Sequence, residues 1–492
     1  MIPPCGACLH GKGADGSVQV AGVWQAVGVT GPVRNLVDPA GLSEDDVVEA
    51  LSRVAARDEG LARSAEHAYE ALTWGEGPGV LRQAGLQYWL WHAVPTKYIT
   101  DEAGYMGQFG HGAAALFDEL GLHAYAAICR SSITAEVHAA FDRSDADGRR
   151  AMGRAMEKSG IDPPDLADFA WSDFMGGEEA AAHSAVEDVL EMAIAAGDVV
   201  VGSRSWRVAQ AAAAEAALES DHPELPGQSW RTAVLTERLE HWVGAARRRS
   251  HRLGSARAGV ANRLLHPVEP PSGASAAVAP LVWLLDRHGD EQPLTQAGYL
   301  APSFVRSLQA ERPWDLVLPM DRQMRTEADD DKLLALREWL QLAGALRKRK
   351  SKLIRTAAGA AMASDPAQAW SALTRHMAPQ GWDGFAAETA LLHLLASSDR
   401  DTEASYDSVL AFVAEVAEDM GWTTSDGGER RAPSDSDVAW SLYDIRQVWE
   451  ACDLVAFQRS WRDRRFTLTE VGEAAALSYL RHVATGPRTS LE

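Results

Sequence analysis

The amino-acid sequence predicts a mainly α-helical protein with small β-hairpins, in which an N-terminal helical bundle precedes repeated units of helix and hairpin. Two observations support this fold class. Alanine is abundant and mostly falls in patterns of helical period, and pairs of short strand-like arms follow some of the helical stretches. A chain of 492 residues also exceeds a single core of ordinary size, so we expect several domains.

Breaks rich in Pro, Ser, Gly or acidic residues divide the chain, and "HPVEPPSGAS" at 266–275 is the clearest of them. A second break at 423–437 is acidic and Gly-rich, which predicts a disordered loop. The predicted regions are a weakly structured segment at 1–40, a helical domain at 41–220 with a wing-like hairpin at 198–208, a helix and linker at 221–275, and two helix–hairpin units at 276–375 and 376–492.

The middle of the chain shows the helix–hairpin unit most clearly. Leu333, Leu336 and Leu340 form one apolar helical stripe, and Gly344 is a typical residue at a helix C-terminus. The stretch "ALRKRKSKLIRT" then gives two strand arms around a turn, and Thr356 is suited to cap the next helix. The pattern therefore predicts helix, hairpin and a second helix in immediate succession.

The same order returns near the C-terminus. Val438, Leu442 and Ile445 begin an apolar stripe, and "LVAFQ" and "RRFTLT" supply the strand arms. Thr469 precedes a glycine by three residues, as Thr356 does in the middle unit. The recurrence indicates that the two units share one architecture.

A fainter third copy is predicted within the helical domain. Ser184 and Glu187 form a capping box, Gly197 ends the helix, and "DVVVGSRSWRV" gives the hairpin at 198–208. Helix followed by hairpin, with further helices in front, is the second half of a winged helix-turn-helix domain. We therefore predict a winged-helix fold for both helix–hairpin units.

The hairpin of the middle unit concentrates positive charge in an acidic protein. Six basic residues and no acid lie between positions 347 and 355, although the chain has a net charge of −22. Residues 281–375 hold 14 basic and 12 acidic side chains, against 10 and 20 in 376–492, so the charge of the middle unit suits DNA better. Arg and Lys on a wing contact the phosphate backbone without reading bases. The predicted contacts are Arg347, Lys348, Arg349, Lys350, Lys352 and Arg355.

We assign base reading to "APSFVRSLQAE" at 301–311, where Arg306 and Gln309 are residue types that recognise bases. The same segment carries an acid and apolar side chains, which suit contact with another protein. The hairpin charge also has a second interpretation, because an exposed hairpin is polar and Lys and Arg protect strand edges from pairing. Both alternatives are open at this point.

Three further motifs have alternatives of their own. The run "RRRSHRLGSAR" at 247–257 is either a solvated helix end or a second nucleic-acid contact. Cys5, Cys8 and His10 supply half of a zinc site without a second pair at finger spacing, and we favour a flexible tail there. The aromatic-rich segment 88–111 predicts a bundle core, with stacking on bases or a small ligand as the alternative.

The sequence contains no nucleophile-elbow, phosphate-loop, dinucleotide-binding or zinc-protease motif, so we predict a non-enzymatic protein without a cofactor. It shows neither the pattern of a signal peptide nor an apolar run of membrane-spanning length. Its four Cys residues form no disulfide framework. We therefore expect a cytoplasmic protein without membrane contact, and the Ala- and Arg-rich composition indicates a bacterial source.

Three stretches also carry a family resemblance. They are "DEQPLTQAGYLAPSFVRSL", "LREWLQLAGALRKRKSKLIRTAAGAAMASDPAQAWSAL" and "WRDRRFTLTEVGEAAAL". Over roughly 80–490 the chain resembles a region common in large uncharacterised actinobacterial proteins, some of which are fused to a plasmid ORF-3-like domain. The resemblance implies a helical and winged-helix architecture, and it implies no activity and no catalytic residues.

These patterns together predict a non-enzymatic DNA-binding or regulatory protein that acts through the middle winged-helix unit. The alternative is a protein-interaction scaffold in a bacterial assembly, in which the same units make protein contacts. The hairpin charge separates the two hypotheses, because only the first requires it.

Overall fold

The computed structural model describes residues 39–97, 105–308, 311–314, 326–398, 404–426, 429–459 and 464–489. Within these ranges the chain is mainly helical with a few small antiparallel sheets, which confirms the predicted fold class at that level. Two compact units are present. The N-terminal unit comprises Met1–Val234 and Pro487–Leu491, and the C-terminal unit comprises Leu235–Gly486 and Glu492.

The N-terminal unit is built from helices in its described part. They are α1 (Glu44–Ala55), α2 (Glu59–Thr73), α3 (Gln83–Tyr88), α4 (Val94–Lys97), α5 (Tyr105–Glu119), α6 (His123–Cys129), α7 (Ser132–Arg143), α8 (Asp145–Ser159), α9 (Gly177–Ala196) and α10 (Trp206–Glu219). A π-helical turn, Trp89–Ala93, joins α3 to α4.

The core of the N-terminal unit begins with α1, α2 and α5, which pack against one another. Ser43 caps α1: its hydroxyl accepts a hydrogen bond from Asp46 N at 3.2 Å, and the Asp46 carboxylate accepts one from Ser43 N at 2.8 Å. This geometry is a capping box. On the other side, α9 joins the bundle through Tyr125, whose hydroxyl donates to Glu191 at 2.6 Å.

The predicted hairpin at 198–208 is wrong. Gly197 ends α9 with a left-handed φ of 85°, as expected, but consecutive turns then lead directly into α10. Ser203 N donates to Val200 O at 3.0 Å and Trp206 N donates to Ser203 O at 3.4 Å. These turns use backbone N–H groups that would otherwise donate across a pair of strands. The two arms are too short to supply further N–H donors for such a pair.

The C-terminal unit carries the remaining described elements. Its helices are α11 (Trp230–Arg247), which spans the boundary, α12 (His251–Leu264), α13 (Ala274–Ala277), α14 (Ala279–His288), α15 (Pro302–Leu308), α16 (Asp331–Leu342), α17 (Ala357–Ser364), α18 (Pro366–Arg375), α19 (Trp382–Ser398), α20 (Tyr406–Asp419), α21 (Asp435–Ala451) and α22 (Glu470–Thr485). Its strands are β1 (Glu291–Pro293), β2 (Leu346–Arg349), β3 (Lys352–Arg355), β4 (Thr424–Asp426), β5 (Glu429–Arg431), β6 (Val455–Arg459) and β7 (Arg464–Leu468). We call residues 279–375 repeat 1 and residues 382–485 repeat 2.

Two predicted element limits differ from the structure. The capping box of Ser184 and Glu187 was expected to start a helix, but α9 begins at Gly177 because its buried stripe extends further toward the N-terminus. The segment 423–437, expected as a disordered loop, contains the β4–β5 hairpin and the first turn of α21, which begins at Asp435. In the same C-terminal unit, the boundary predicted at 266–275 lies inside the unit.

Repeat 1 closes its hairpin with a short hydrogen-bond pattern. Ala345 N donates to Leu340 O at 2.8 Å where α16 ends, and Thr356 N donates to Ala345 O at 3.0 Å where β3 ends. The Thr356 hydroxyl then accepts from Gly359 N at 3.1 Å and caps α17, as predicted. Gly359 is required because a Cβ at this position would overlap the Ala345 carbonyl. The sheet has the order β1–β3–β2.

Repeat 2 closes its hairpin in the same way. Leu454 N donates to Trp449 O at 2.8 Å, Thr469 N donates to Leu454 O at 3.0 Å, and the Thr469 hydroxyl accepts from Gly472 N at 2.9 Å. A Cβ on Gly472 would overlap the Leu454 carbonyl. The recurrence predicted from sequence is therefore present at the level of individual hydrogen bonds. At the corresponding edge of repeat 2, within its described residues, Ser405 forms an isolated bridge to Arg465 of β7.

The helices that precede the two hairpins, α16 and α21, pack against each other. The Tyr443 hydroxyl of α21 donates to the Asp331 carboxylate of α16, and Lys332 lies 3.8 Å from Glu450. One face of each helix is thus covered by the other repeat. Among the described helices, none combines the length and apolar character that crossing a bilayer requires.

Candidate nucleic-acid interface

The β2–β3 hairpin is positioned by its apolar residues. Leu346 and Leu353 are buried and anchor the two strands on the core of repeat 1. Gly344, with a left-handed φ of 71°, turns the chain out of α16, and Lys350 takes a φ of 56° at the tip. Most of the other hairpin side chains face solvent, whereas Ile354 and Arg355 are half-buried.

Two of the six predicted phosphate contacts are neutralised within repeat 1. Lys352 forms an ion pair with Glu291, and Arg355 pairs with Asp290 at 2.8 Å. Both acids lie at the start of β1, which is hydrogen-bonded to β3. These two basic residues therefore bind the sheet together and contribute little net charge to the surface.

The other four basic residues remain uncompensated. Arg347, Lys348, Arg349 and Lys350 are exposed, and they make no ion pair with any residue that the structure describes. Four consecutive positive charges on one short stretch of the hairpin produce a positive local field despite the negative net charge of the chain. This cluster, which we call the hairpin tip, is the best candidate for contact with a polyanion.

The predicted base-reading helix is less well placed. It is limited to α15, seven residues long, on which Arg306 is exposed. Gln309 lies outside the described residues. The helix that leads directly into the hairpin is α16, and not α15.

Most of α16 is closed to any ligand. Leu333, Leu336, Trp339 and Leu340 are in the core, and Arg337 is only 7% exposed. Its well-exposed side chains are acidic or apolar, and none of them is a typical reader of guanine or adenine. The geometry of repeat 1 therefore allows phosphate contact through the hairpin tip, and it offers no basic helix face for the major groove.

The second basic run, at 247–257, is divided between two environments. Arg252 pairs with Glu415 at 3.0 Å, and Arg257 pairs with Glu388 at 2.8 Å while its guanidinium lies over the Trp242 ring. The three arginines at the end of α11 and just after it are exposed. Two of the five arginines in this run are therefore structural, and the other three serve as a control for the hairpin tip.

The remaining sequence candidates fall into the core or outside the described residues. Cys5, Cys8 and His10 lie outside the described residues. Cys129 and Cys452 are buried, and desolvation raises the pKa of each thiol to about 12, so neither is a reactive thiolate at neutral pH. No group of His, Cys, Asp and Glu within the described ranges is arranged to hold a metal ion.

The aromatic-rich segment 88–111 is largely core. Trp89, Trp91 and Phe109 are less than 9% exposed, and the Trp91 indole donates to the Thr134 hydroxyl at 2.8 Å. Tyr88 is 42% exposed and lies at the edge of this core. For the described part of the segment, the predicted core interpretation holds.

Asp290 and Glu291 are the residues of this surface that sequence reasoning missed. "DEQP" has no strand pattern, so nothing indicated that β1 would place two acids beside β3. Comparison with family models, with curated protein sequences and with solved structures finds no match. The resemblance to the actinobacterial family therefore stays a prediction.

Proposed function

We propose that this protein is a non-enzymatic bacterial regulatory protein that binds nucleic acid through the phosphate backbone, with the hairpin tip as its contact. The single observation that carries the proposal is the set of four exposed cations from Arg347 to Lys350, which have no acidic partner among the described residues. In an acidic protein, such a local concentration of positive charge favours the binding of an anion at the hairpin tip.

The order of elements in repeat 1 supports a winged-helix interpretation. Helix, strand, two helices and a hairpin follow one another, and β1 pairs with the second hairpin strand. In such an architecture the hairpin is the wing, which lies along the DNA backbone while a helix enters the major groove. Repeat 2 supplies a second copy with the same hairpin closure.

The packing of α16 on α21 limits what kind of binding we propose. One face of α16 is covered by α21, so base readout through that face requires the repeats to separate, and the exposed side chains of the helix are acidic or apolar. We therefore propose contact with the backbone alone. Such binding is independent of base sequence and weakens steeply as salt rises.

Fluorescence anisotropy of the full-length protein with a labelled duplex of about 25 base pairs tests the proposal at low salt. The test variant carries Arg347→Gln, Lys348→Gln, Arg349→Gln and Lys350→Gln. The matched control carries Arg247→Gln, Arg248→Gln and Arg249→Gln, which removes exposed charge elsewhere in the same C-terminal unit.

We expect two duplexes of unrelated sequence to bind equally well, the test variant to lose at least about tenfold in affinity, and the control to bind like the wild type. Absence of binding at low salt, or equal affinity of the test variant, would contradict the proposal. A clear preference for one duplex would contradict the restriction to backbone contact.

A protein-interaction scaffold is the second candidate. The observation that favours it is the α16–α21 contact itself. Winged-helix proteins that bind DNA use the helix before the hairpin, whereas here the two helices at that position pack against each other. Co-purification from the native host and light scattering test this candidate. A monomer that recovers no stable partner would count against it.

A further inference from the structure

An open groove of about 510 Å³ lies on repeat 2, between the first turns of α21 and the β6–β7 hairpin. Aromatic side chains dominate its walls, and the two basic residues among its lining are arginines. The lining residues that matter here are Tyr406, Trp440, Tyr443, Arg446, Phe457 and Arg464.

Arg446 is the central residue of the groove. It is only 4% exposed, and its guanidinium lies over the rings of Tyr406, Tyr443 and Phe457 at 5.5, 5.6 and 4.3 Å. One edge is satisfied, because Nη1 donates to the Glu450 carboxylate at 2.9 Å. The buried Nε has no acceptor among the described residues. A buried donor of a charged group without an acceptor is unfavourable.

Repeat 1 shows what such an arginine binds when its site is complete. Arg337 precedes Leu340 by three residues, as Arg446 precedes Trp449, and both of these carbonyls accept the hydrogen bond that closes the hairpin. The Arg337 Nε donates to the Glu327 carboxylate at 2.9 Å, and Glu327 is fully buried.

Arg337 and Arg446 also make corresponding hydrogen bonds from Nη1, at the other edge of the guanidinium group. Arg337 Nη1 donates to Gln341 at 3.2 Å, four residues later, and Arg446 Nη1 donates to Glu450, also four residues later. The side chains therefore adopt corresponding positions in the two repeats. The difference is confined to Nε, where repeat 1 supplies a carboxylate and the described part of repeat 2 supplies no acceptor.

We propose that the groove of repeat 2 binds a small aromatic carboxylic acid, whose carboxylate takes the place that Glu327 occupies in repeat 1. Because Nε is itself buried, the Arg446 side chain turns toward the groove on binding, and the carboxylate then accepts from its Nε edge in the side-on geometry that guanidinium groups favour. Arg464, exposed and without an ion pair to any described residue, adds charge at the rim. The ring packs against Phe457 and Trp440.

The composition of the groove favours an aromatic acid over a cation or a bare phosphate. Aromatic walls favour a planar apolar body, and two arginines disfavour a cation. A bare phosphate would leave the aromatic faces in water. Trp440, which is 76% exposed and lies on the groove, becomes covered when a ring binds beside it. This site is independent of the proposed nucleic-acid contact, because it uses another repeat and other residues.

Ligand-observed NMR titration of the full-length protein tests the proposal. The probes are benzoate, phenylacetate and indole-3-acetate, each compared with its neutral amide, and inorganic phosphate is the control for a bare anion. We expect at least one acid to bind about tenfold or more tightly than its amide. We also expect that phosphate at the same concentration does not displace the bound acid.

Variants assign the binding to the groove. Trp440→Ala and Arg464→Gln change exposed side chains, so the fold is retained, and we expect each to weaken acid binding about fivefold or more. Trp74→Ala is the matched control, since Trp74 is 80% exposed in the N-terminal unit, and we expect unchanged affinity. Arg446→Lys keeps the charge but removes the Nε donor, and we expect it to abolish the preference for acid over amide.

Three results would overturn the proposal. They are no binding of any acid up to about 10 mM, equal affinity of acid and amide, and acid binding that survives both exposed substitutions. Because Trp440→Ala and Arg464→Gln decide the outcome without Arg446→Lys, a failure of the buried variant to fold does not remove the test.

Discussion

Repeat 1 and repeat 2 close their hairpins with the same hydrogen bonds and present different chemistry to solvent. Repeat 1 buries its arginine against Glu327 and exposes four basic residues at the hairpin tip. Repeat 2 leaves the corresponding arginine beside an open aromatic groove, within a region of 10 basic and 20 acidic residues. The two repeats thus combine one hairpin closure with an exposed basic surface in repeat 1 and an open aromatic groove in repeat 2.

The comparison teaches that backbone closure and surface chemistry vary independently. The threonine cap, the glycine and the helix-ending carbonyl recur because each satisfies a steric or hydrogen-bonding need of the hairpin. Side chains on the outer strands meet no such requirement, so their charge is free to differ. The predictions below test both halves of this statement.

The largest expected effect concerns the buried ion pair of repeat 1. Glu327→Ala leaves Arg337 buried without its carboxylate and should lower the free energy of unfolding of the C-terminal unit by about 4 kcal/mol. Glu450→Ala, at the Nη1 edge of Arg446, removes a partner that is itself partly exposed and should cost less, about 2 kcal/mol. Scanning calorimetry of both variants measures the difference.

The double variant Glu327→Leu with Arg337→Met is the control for that experiment. Removing both charges together should recover most of the lost stability, because no unpaired group is left in the core. Equal effects of Glu327→Ala and Glu450→Ala would show that the two arginines do not differ as described.

The next effect tests the shared closure. Gly472→Ala and Gly359→Ala each place a methyl group against a carbonyl oxygen and should each cost about 3 kcal/mol in the free energy of unfolding. Gly153→Ala in α8, where a Cβ meets no atom within 4 Å, should be neutral or stabilising by up to about 1 kcal/mol. Chemical denaturation of the three variants decides the matter, and a tolerated Gly472→Ala would refute a common closure.

A pH experiment identifies which calorimetric transition belongs to the N-terminal unit, so that the other can be assigned to the repeats. Burial raises the pKa of Glu187 from 4.5 to about 8, with neighbouring acids adding to the shift. The folded chain then holds a proton that the unfolded chain releases, so stability from this group is complete below pH 4.5 and is lost as the pH rises toward 8.

Glu187→Gln should remove that dependence and stabilise the N-terminal unit by about 2 kcal/mol at pH 8 relative to the wild type. The transition that responds is assigned to the N-terminal unit, and the other to the repeats. A wild-type protein and a variant with parallel pH profiles would contradict the raised pKa.

The smallest effect concerns the threonine caps. Thr356→Ala and Thr469→Ala each remove one hydroxyl acceptor from a helix N-terminus and should each cost about 1 kcal/mol. Thr→Ser at either position should retain most of the stability. Thermal unfolding measures all four variants, and an effect confined to one repeat would limit the equivalence of the closures.

The closures were predictable from sequence because they depend on local rules. The stripe of Leu333, Leu336 and Leu340, the glycine at the end of α16 and the Thr356 cap each have a signature a few residues long. The prediction of a hairpin at 198–208 was wrong because strand pairing depends on more than a short local pattern. The apolar alternation of this segment was too short to form a ladder, and turn bonds satisfied the same donors.

The candidate sites were predictable only in part. The basic run that forms the hairpin tip is visible in the sequence, but its neutralisation by Asp290 and Glu291 depends on the pairing of β1 with β3. The groove around Arg446 brings together residues from α20, α21 and the β6–β7 hairpin. No local spacing encodes such a meeting, so sequence patterns gave no signal for it.

The central claim is that charge at the hairpin tip of repeat 1, and not at the hairpin of repeat 2, binds the phosphate backbone. The most direct measurement is the slope of log affinity against log salt for a DNA duplex, determined from about 20 to about 200 mM salt. Contact with four phosphates predicts a wild-type slope of about −3.6. Neutralising Arg347 to Lys350 should bring the slope close to zero, whereas Arg464→Gln with Arg465→Gln should leave it unchanged. A wild-type slope near zero, or a loss of slope from the repeat 2 variant, would contradict the claim.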